Sequence, residues 1–324
     1  MCMVSKKSVK TIHLERQEKS NQRASAALKH VRRCFWRYVF LIPGLLSIFF
    51  FKLLPMYGLQ IAFRDFSVVK GVWGSEWVGL EHFKTLFNSV NFSRVLKNSI
   101  VTSLLRLLFS FPVPIVLALL LNEVKNAKFK KTVQTVMYLP HFISWVIVIT
   151  MVTGLFSRSQ GVINELIVAL GGEKIDFLTS KDWFRPLLIG SSIWKEAGWG
   201  TIVYLAALAG VDQELYEAAA LDGAGRWQRM LHITLPCIAS TITVMLILNM
   251  GSILSNGFEQ IWLLQNAPNK EIAEVLETYS YQVGLREGRY SFAAAIGFFQ
   301  SLVGMIMIFV SNFLSKRTGG DGLW

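Results

Sequence analysis

The sequence contains no Gly-rich loop ending in Lys-Ser or Lys-Thr, the arrangement that cradles nucleotide phosphates, so it offers no place of its own to hydrolyse ATP. It has no clustered His, Cys and carboxylate set either, which argues against a metal centre. The three cysteines, Cys2, Cys34 and Cys237, fall at spacings that suit neither zinc nor a redox pair and are expected as free thiols. Charge is scarce as well. Of 324 residues, 17% are Asp, Glu, Lys or Arg, against about 25% in an ordinary soluble domain, and 52% are hydrophobic. Water is therefore not the only solvent this chain is built for.

Apolar runs of about 20 residues, the length that crosses a bilayer, recur along the chain. Six are expected, over 39–59, 99–121, 133–156, 186–208, 238–257 and 292–314. Backbone groups in lipid must be satisfied within their own segment, so each is expected to be a helix. The fold class that follows is an all-α integral membrane protein with six transmembrane helices. Its expected parts are a basic tail (1–37), a first span (38–59), an outer loop (60–98), a core of five spans (99–314) and a short tail (315–324).

The net charge of +12 would suggest nucleic acid if it were spread over a folded surface. Instead, ten of the 33 basic residues precede Tyr38, opposed only by Glu15 and Glu18. With that tail inside, the inner side carries 18 basic residues, including Lys125, Lys128, Lys130, Lys131, Arg226, Arg229, Lys316 and Arg317, while longer outer loops carry 12. The positive-inside rule then puts both termini in the cytoplasm, and nucleic acid is not expected as a partner. The tail is too long, and the run after it too extended, for a signal peptide, so the first apolar segment is expected to remain.

Two outer segments have internal patterns. Trp77-Val78-Gly79-Leu80 followed by Phe83 reads as a turn entering a short amphipathic helix, and 271–282, with Ile272, Val275, Leu276 and Tyr279 at helical spacing, reads as another. Loops resting on the membrane surface are the alternative for both.

The most informative stretch lies between the fourth and fifth spans, over 211–236. Glu217-Ala218-Ala219 is followed after three residues by Gly223, after nine more by Ile233, and then by Leu235-Pro236. Acidic Glu214 and Glu217 suit a helix N-terminus, Gly223 suits a sharp break, and Pro236 suits a first helical turn. The expected result is a short helix, a turn and a second short helix on the cytoplasmic side. This pattern resembles the EAA loop of binding-protein-dependent ABC importer permeases, with every fixed position met. Leu41-Ile42-Pro43-Gly44, Asn98-Ser99, Tyr138-Leu139-Pro140, Ala293-Ala294-Ala295-Ile296-Gly297 and the segment 279–290 extend the resemblance, to the branch that imports oligosaccharides or polysaccharide fragments, alginate among them.

The resemblance implies a type I ABC importer permease fold in the bacterial cytoplasmic membrane and a non-catalytic subunit that binds no cofactor. ATP and Mg would be held by two partner ATPase subunits. The other implied partners are a second permease, an extracytoplasmic solute-binding protein and a carbohydrate. Glu217, Ala218, Ala219, Asp222, Gly223, Ala224, Ile233, Leu235 and Pro236 would form the coupling helix that meets the ATPase. A permease for a different solute is the alternative within the family. A secondary transporter would be expected to show broken helix pairs or an internal repeat, and a membrane enzyme a nucleophile or acid–base pair; the sequence displays none of these.

Polar groups inside the spans are the candidates for the solute path. Arg106, and Lys195 with Glu196, are read first as structural pairings and second as substrate contacts, and Lys52 as a snorkelling residue. Asn249, Ser252, Asn256, Glu259 and Gln260 toward the outer half of the fifth span, with Gln300 in the sixth, suit either a sugar, which is bound through hydroxyls, or interhelical hydrogen bonds. His141 reads as a packing residue.

Overall fold

The computed structural model describes residues 35–317 and 322–324, so Cys2, Cys34 and nearly all of the basic tail lie outside the described residues. The chain divides into two compact units, 1–60 and 61–324. In the first, α1 (Phe35–Ile48) contains Pro43 and passes into a wider π turn, Phe49–Leu53, which carries exposed Lys52. Large apolar side chains such as Phe40, Leu45 and Phe51 are exposed around this helix. An apolar surface on all sides is the property of a helix that meets lipid or another chain.

The second unit opens with an antiparallel pair, β1 (Arg64–Asp65) and β2 (Glu76–Trp77). Gly79, at φ +62°, then turns the chain into α2 (Glu81–Asn88), whose Leu86 is fully buried. The turn and short helix expected from 77–83 are therefore present. Next come α3 (Val90–Leu105), a π turn at Arg106–Ser110 and α4 (Pro112–Asn122), which run together as one apolar stretch of 33 residues. Asn126 caps α5 (Ala127–Tyr138) by accepting the N–H groups of Lys128 and Phe129.

The third expected span is not one straight helix. Pro140 lies in a 3-10 turn, Leu139–Phe142, and α6 (Trp145–Phe156) leaves at 99° to the segment before it, with Ser144 capping its new N-terminus. α7 (Val162–Ala169) follows, with buried Asn164 bonding the backbone of Ser157 and Ile175. α8 (Lys181–Ala209) covers the fourth expected span in 29 residues. Lys195, Glu196 and several Ser and Gly residues lower its hydropathy, so it is not among the helices that qualify as spans by composition.

The chain continues through α9 (Gln213–Leu221) and α10 (Arg226–Arg229), which extends to Cys237 and bends by 58° into α11 (Ala239–Gly251). The fifth span was expected to run to residue 257. It ends at Gly251, and an extended corner at 255–257 leads into α12 (Phe258–Leu264). The expected helix over 271–282 is likewise divided: a single turn, Lys270–Ala273, is separated by Glu274 and Val275 from α13 (Leu276–Tyr281). Its apolar residues Leu276 and Tyr279 are buried among α2, α3 and α14 (Tyr290–Arg317), and Val275 among α6, α8 and α12, instead of lying on a membrane surface. Among the described residues, three helices are long and apolar enough to cross a membrane, or five if each bent pair counts once.

Three apolar clusters hold the second unit together. One joins α2 and α3 to α13 and α14, a second joins α6 and α8 to α12, and the third joins α4 and α8 to the start of α11 through Leu119, Tyr204, Leu208 and Ile238. Ion pairs add Arg94 to buried Glu274 at 2.5 Å, and Lys181 to Glu271. The hydrogen bond from Lys181, followed by its charge, holds the Glu271 carboxyl below the usual carboxylate range.

Helices approach closely only where glycine permits. A Cβ on Gly198 would lie 1.9 Å from the Met137 carbonyl oxygen, and one on Gly304 would lie 2.3 Å from that of Gly251. By contrast, nothing surrounds Gly297 within 4 Å. Gly304→Ala should therefore lower the unfolding midpoint of the detergent-purified protein, at a cost of about 1–3 kcal/mol from overpacking. Gly297→Ala, on the same helix, should leave the midpoint unchanged or raise it slightly.

Candidate functional site

The two groups of sequence candidates lie in different parts of the fold. On the loop between α8 and α11, Asp212 caps α9 by accepting the Glu214 N–H at 3.0 Å. The helix ends in a Schellman turn: the Ala224 N–H bonds the Ala219 carbonyl at 2.9 Å and the Gly223 N–H bonds that of Ala220 at 3.2 Å. That closure requires φ +78° at Gly223, which is why a residue without a Cβ stands there. The Gln228 side chain reaches back to accept the Gly225 N–H at 2.7 Å and starts α10. The Tyr216 hydroxyl, 3.0 Å from that of Thr234, ties the first helix to the second.

Glu217, Ala218, Asp222 and Gly223 are exposed on this loop. Leu221 and Trp227 beside them are 90% and 70% exposed, an apolar surface that sequence reasoning did not single out. Ala219, Asp222, Gly223 and Ala224 form a hollow of about 350 Å³ with Gln228, Arg229, His232 and Ile233. Leu235 packs with Ile238 and Leu208, so the Leu-Pro end of the motif anchors the loop to the helices.

The second site is a cleft of about 440 Å³ bounded by α3, the π turn, α4, α8 and α11. Arg106, Asn249 and Ser252 line it. Ser103, Ser110, Phe111, Glu196, Trp199 and Tyr204 line it too. Of these, only Glu196 was legible beforehand, as the neighbour of Lys195; Trp199 lies four residues beyond Lys195 and so shares its side of the helix. Aromatic faces beside hydroxyls, amides and one guanidinium form a surface suited to hydroxylated rings.

The other candidates are structural in this arrangement. Lys195 is buried and donates to the His141 carbonyl at 2.6 Å, with Glu196 3.3 Å away and the Trp145 ring 5.4 Å away. That carbonyl lies where the third span breaks, so the ammonium satisfies backbone that the bend exposes. His141 Nδ1 is 2.7 Å from Glu196 and its ring stacks on Trp199 at 4.4 Å, which makes it the packing residue expected. Asn256 is fully buried near Ser103, Gln300 donates to the Leu254 carbonyl, and Glu259 is exposed; none of the three lines the cleft. Among the described residues, no group of His, Cys, Asp or Glu could hold a metal ion.

Residues 110–320 match the family described as "Binding-protein-dependent transport system inner membrane component". The chain belongs to this family. Its members are membrane subunits of transporters. The permease is 52% identical to the protein LplB of Bacillus subtilis (strain 168), over 92% of this chain and 93% of that one. It is also 52% identical to the polygalacturonan/rhamnogalacturonan transport system permease protein YteP of the same organism, covering 89% of each. Among solved structures it resembles a chain of a bacterial alginate ABC transporter in complex with an alginate pentasaccharide-bound periplasmic protein. That match has a TM-score of 0.83 and 44% identity, and covers 91% of the permease and 99% of that chain.

The Schellman turn makes a discriminating test of the loop. Gly223→Asn should be tolerated because Asn enters the left-handed region readily, whereas Gly223→Val should cost roughly 1–2 kcal/mol locally. Limited proteolysis between Leu221 and Arg226 should accelerate for the valine variant alone.

Proposed function

We propose that this chain is one of two permease subunits of an ABC importer for acidic oligosaccharides, receiving its solute from an extracytoplasmic binding protein and mechanical work from two ATPase subunits that hold ATP and Mg. The observation that carries the solute class is Arg106. Its guanidinium lines a cleft otherwise furnished with Trp199, Tyr204, Asn249 and serine hydroxyls, and among the described residues its Nη groups make one hydrogen bond, from Nη2 to Gln260. A half-buried guanidinium with Nη donors to spare is complementary to a carboxylate on a sugar ring. The relatives support this reading, since a permease for polygalacturonan and rhamnogalacturonan and a transporter for alginate, described as an acidic polysaccharide, are both close to this chain. Glu196 on the facing wall is engaged by His141 and Lys195, which leaves Arg106 as the cleft charge available to solute.

In this reading six spans cross the inner membrane with both termini in the cytoplasm, and α8 is the least apolar of them because it carries the polar wall of the path. The exposed helices of the loop over 211–236, bearing Glu217, Asp222 and Gly223, face the cytoplasm and dock on the ATPase. The chain itself performs no catalysis. Two bent helix pairs are present, which the sequence did not display, but the second of them begins within the loop that carries the EAA register, a feature that transport without an ATPase would not need, and a secondary transporter is therefore disfavoured.

Two experiments test these assignments. In proteoliposomes containing the complete complex, Arg106→Gln should reduce ATP-driven uptake of oligogalacturonate by roughly tenfold or more, the worth of one charge-assisted pair, while sparing neutral galacto-oligosaccharide. Equal losses for both would remove the acidic reading. For topology, a cysteine introduced by Asp222→Cys should resist membrane-impermeant maleimide in intact cells and react in inverted vesicles; labelling from outside would reverse the orientation.

A further inference from the structure

Arg106 does not stand alone. Its Nη2 donates to Oε1 of Gln260 at 2.5 Å, and Gln260 is fully buried. The other end of that amide is also committed, with Nε2 donating to the Leu188 carbonyl at 2.7 Å and lying 2.9 Å from Oγ of Ser191. Both acceptors of Nε2 belong to α8, so the amide cannot rotate without leaving its donors unpaired in a buried place. Its oxygen is therefore held toward Arg106.

The second wall around the guanidinium is the corner before α12. Gly257 lies directly against it: a Cβ there would be 3.5 Å from both Nη atoms, an ordinary contact, while φ +78° reserves the position for glycine. The corner is fastened by Glu277, whose carboxylate accepts the Asn256 N–H at 2.9 Å. Asn256 Oδ1 in turn lies 3.0 Å from the hydroxyl of Ser103, three residues before Arg106 on the same helical face. Glu196 lines the same cleft as Arg106, while Glu277 does not.

We infer that Gln260, Gly257 and Glu277 form a socket that aims the Arg106 guanidinium into the cleft, making Gln260 a positioning residue for recognition of the sugar carboxylate. The inference rests on the acidic-oligosaccharide reading above. A guanidinium on a free side chain would sample several rotamers, and a carboxylate meeting it would bear the cost of ordering it. Held by one fixed acceptor and packed against the 256–257 corner, it presents its remaining donors already oriented. Gln260 does not line the cleft, so it acts through Arg106.

The test uses the complete importer in nanodiscs and equilibrium binding of radiolabelled trigalacturonate and its carboxyl-reduced counterpart, trigalactoside. The measured quantity is the preference for the acid, a ratio that a general loss of folded protein would not move. Gln260→Leu should lower that preference roughly tenfold, the worth of a hydrogen bond to a charged group, with trigalactoside binding unchanged. Gln260→Asn keeps the amide but is too short to span from α8 to Arg106, and should give the same loss; it serves if the leucine variant does not assemble. If Arg106→Gln abolishes the preference and both Gln260 variants retain it, the socket is wrong and the acidic reading survives. If Arg106→Gln itself leaves the preference intact, the acidic reading fails first.

Discussion

The amide of Gln260 is the point on which the middle of this permease depends. It joins α3, α8 and α12 through a single group, accepting from Arg106 and donating to Leu188 and Ser191. A guanidinium within an apolar helix is tolerable only where protein or water solvates it, and here the solvation comes from a residue on a different element. The helix that supplies Gln260 can reach Arg106 because the chain leaves α11 at Gly251 and turns at Gly257. The partial burial of one cation and the end of α11 at Gly251 are thus two sides of one arrangement.

The same principle governs the other break. Where α5 gives way to α6, the bend frees backbone carbonyls that a continuous helix would have bonded, and Lys195 takes that of His141. Glu196 and Trp199, on the next turn of α8, hold the His141 ring against the cleft wall. α8 is consequently too polar to qualify as a span by composition, yet it is the element on which all of these contacts converge. Its glycines serve the same purpose: Gly198 brings the Met137 backbone into contact, and Gly200 admits Pro114.

Legibility in the sequence followed the range of the interactions. The loop over 211–236 was readable almost residue by residue, because its helix caps, its Schellman turn and its glycine are set by neighbours within about six positions. The turn at 77–80 and the helix after it were readable for the same reason. The spans were visible as apolar runs, but the bends at 142–145 and 251–257 were not, since hydropathy averages over a window in which a bent and a straight helix score alike. The segment over 271–282 failed differently: its helical spacing was real, but burial of Glu274 beside Arg94 divided it.

By itself, the amino-acid sequence determined that this chain lives in a membrane, which way its charge bias points, and that the loop over 211–236 carries the EAA register, all properties of composition and local order. Only the tertiary structure decided which polar residues meet. Arg106, Asn249 and Ser252 came together on one cleft with Trp199 and Tyr204, while Asn256, Gln300 and Lys195 turned to backbone and Glu259 to the exterior. The reason is physical: a polar group inside an apolar span must find a partner, and whether that partner is a neighbouring backbone carbonyl or a solute depends on helix crossings and breaks that side-chain pattern alone does not encode.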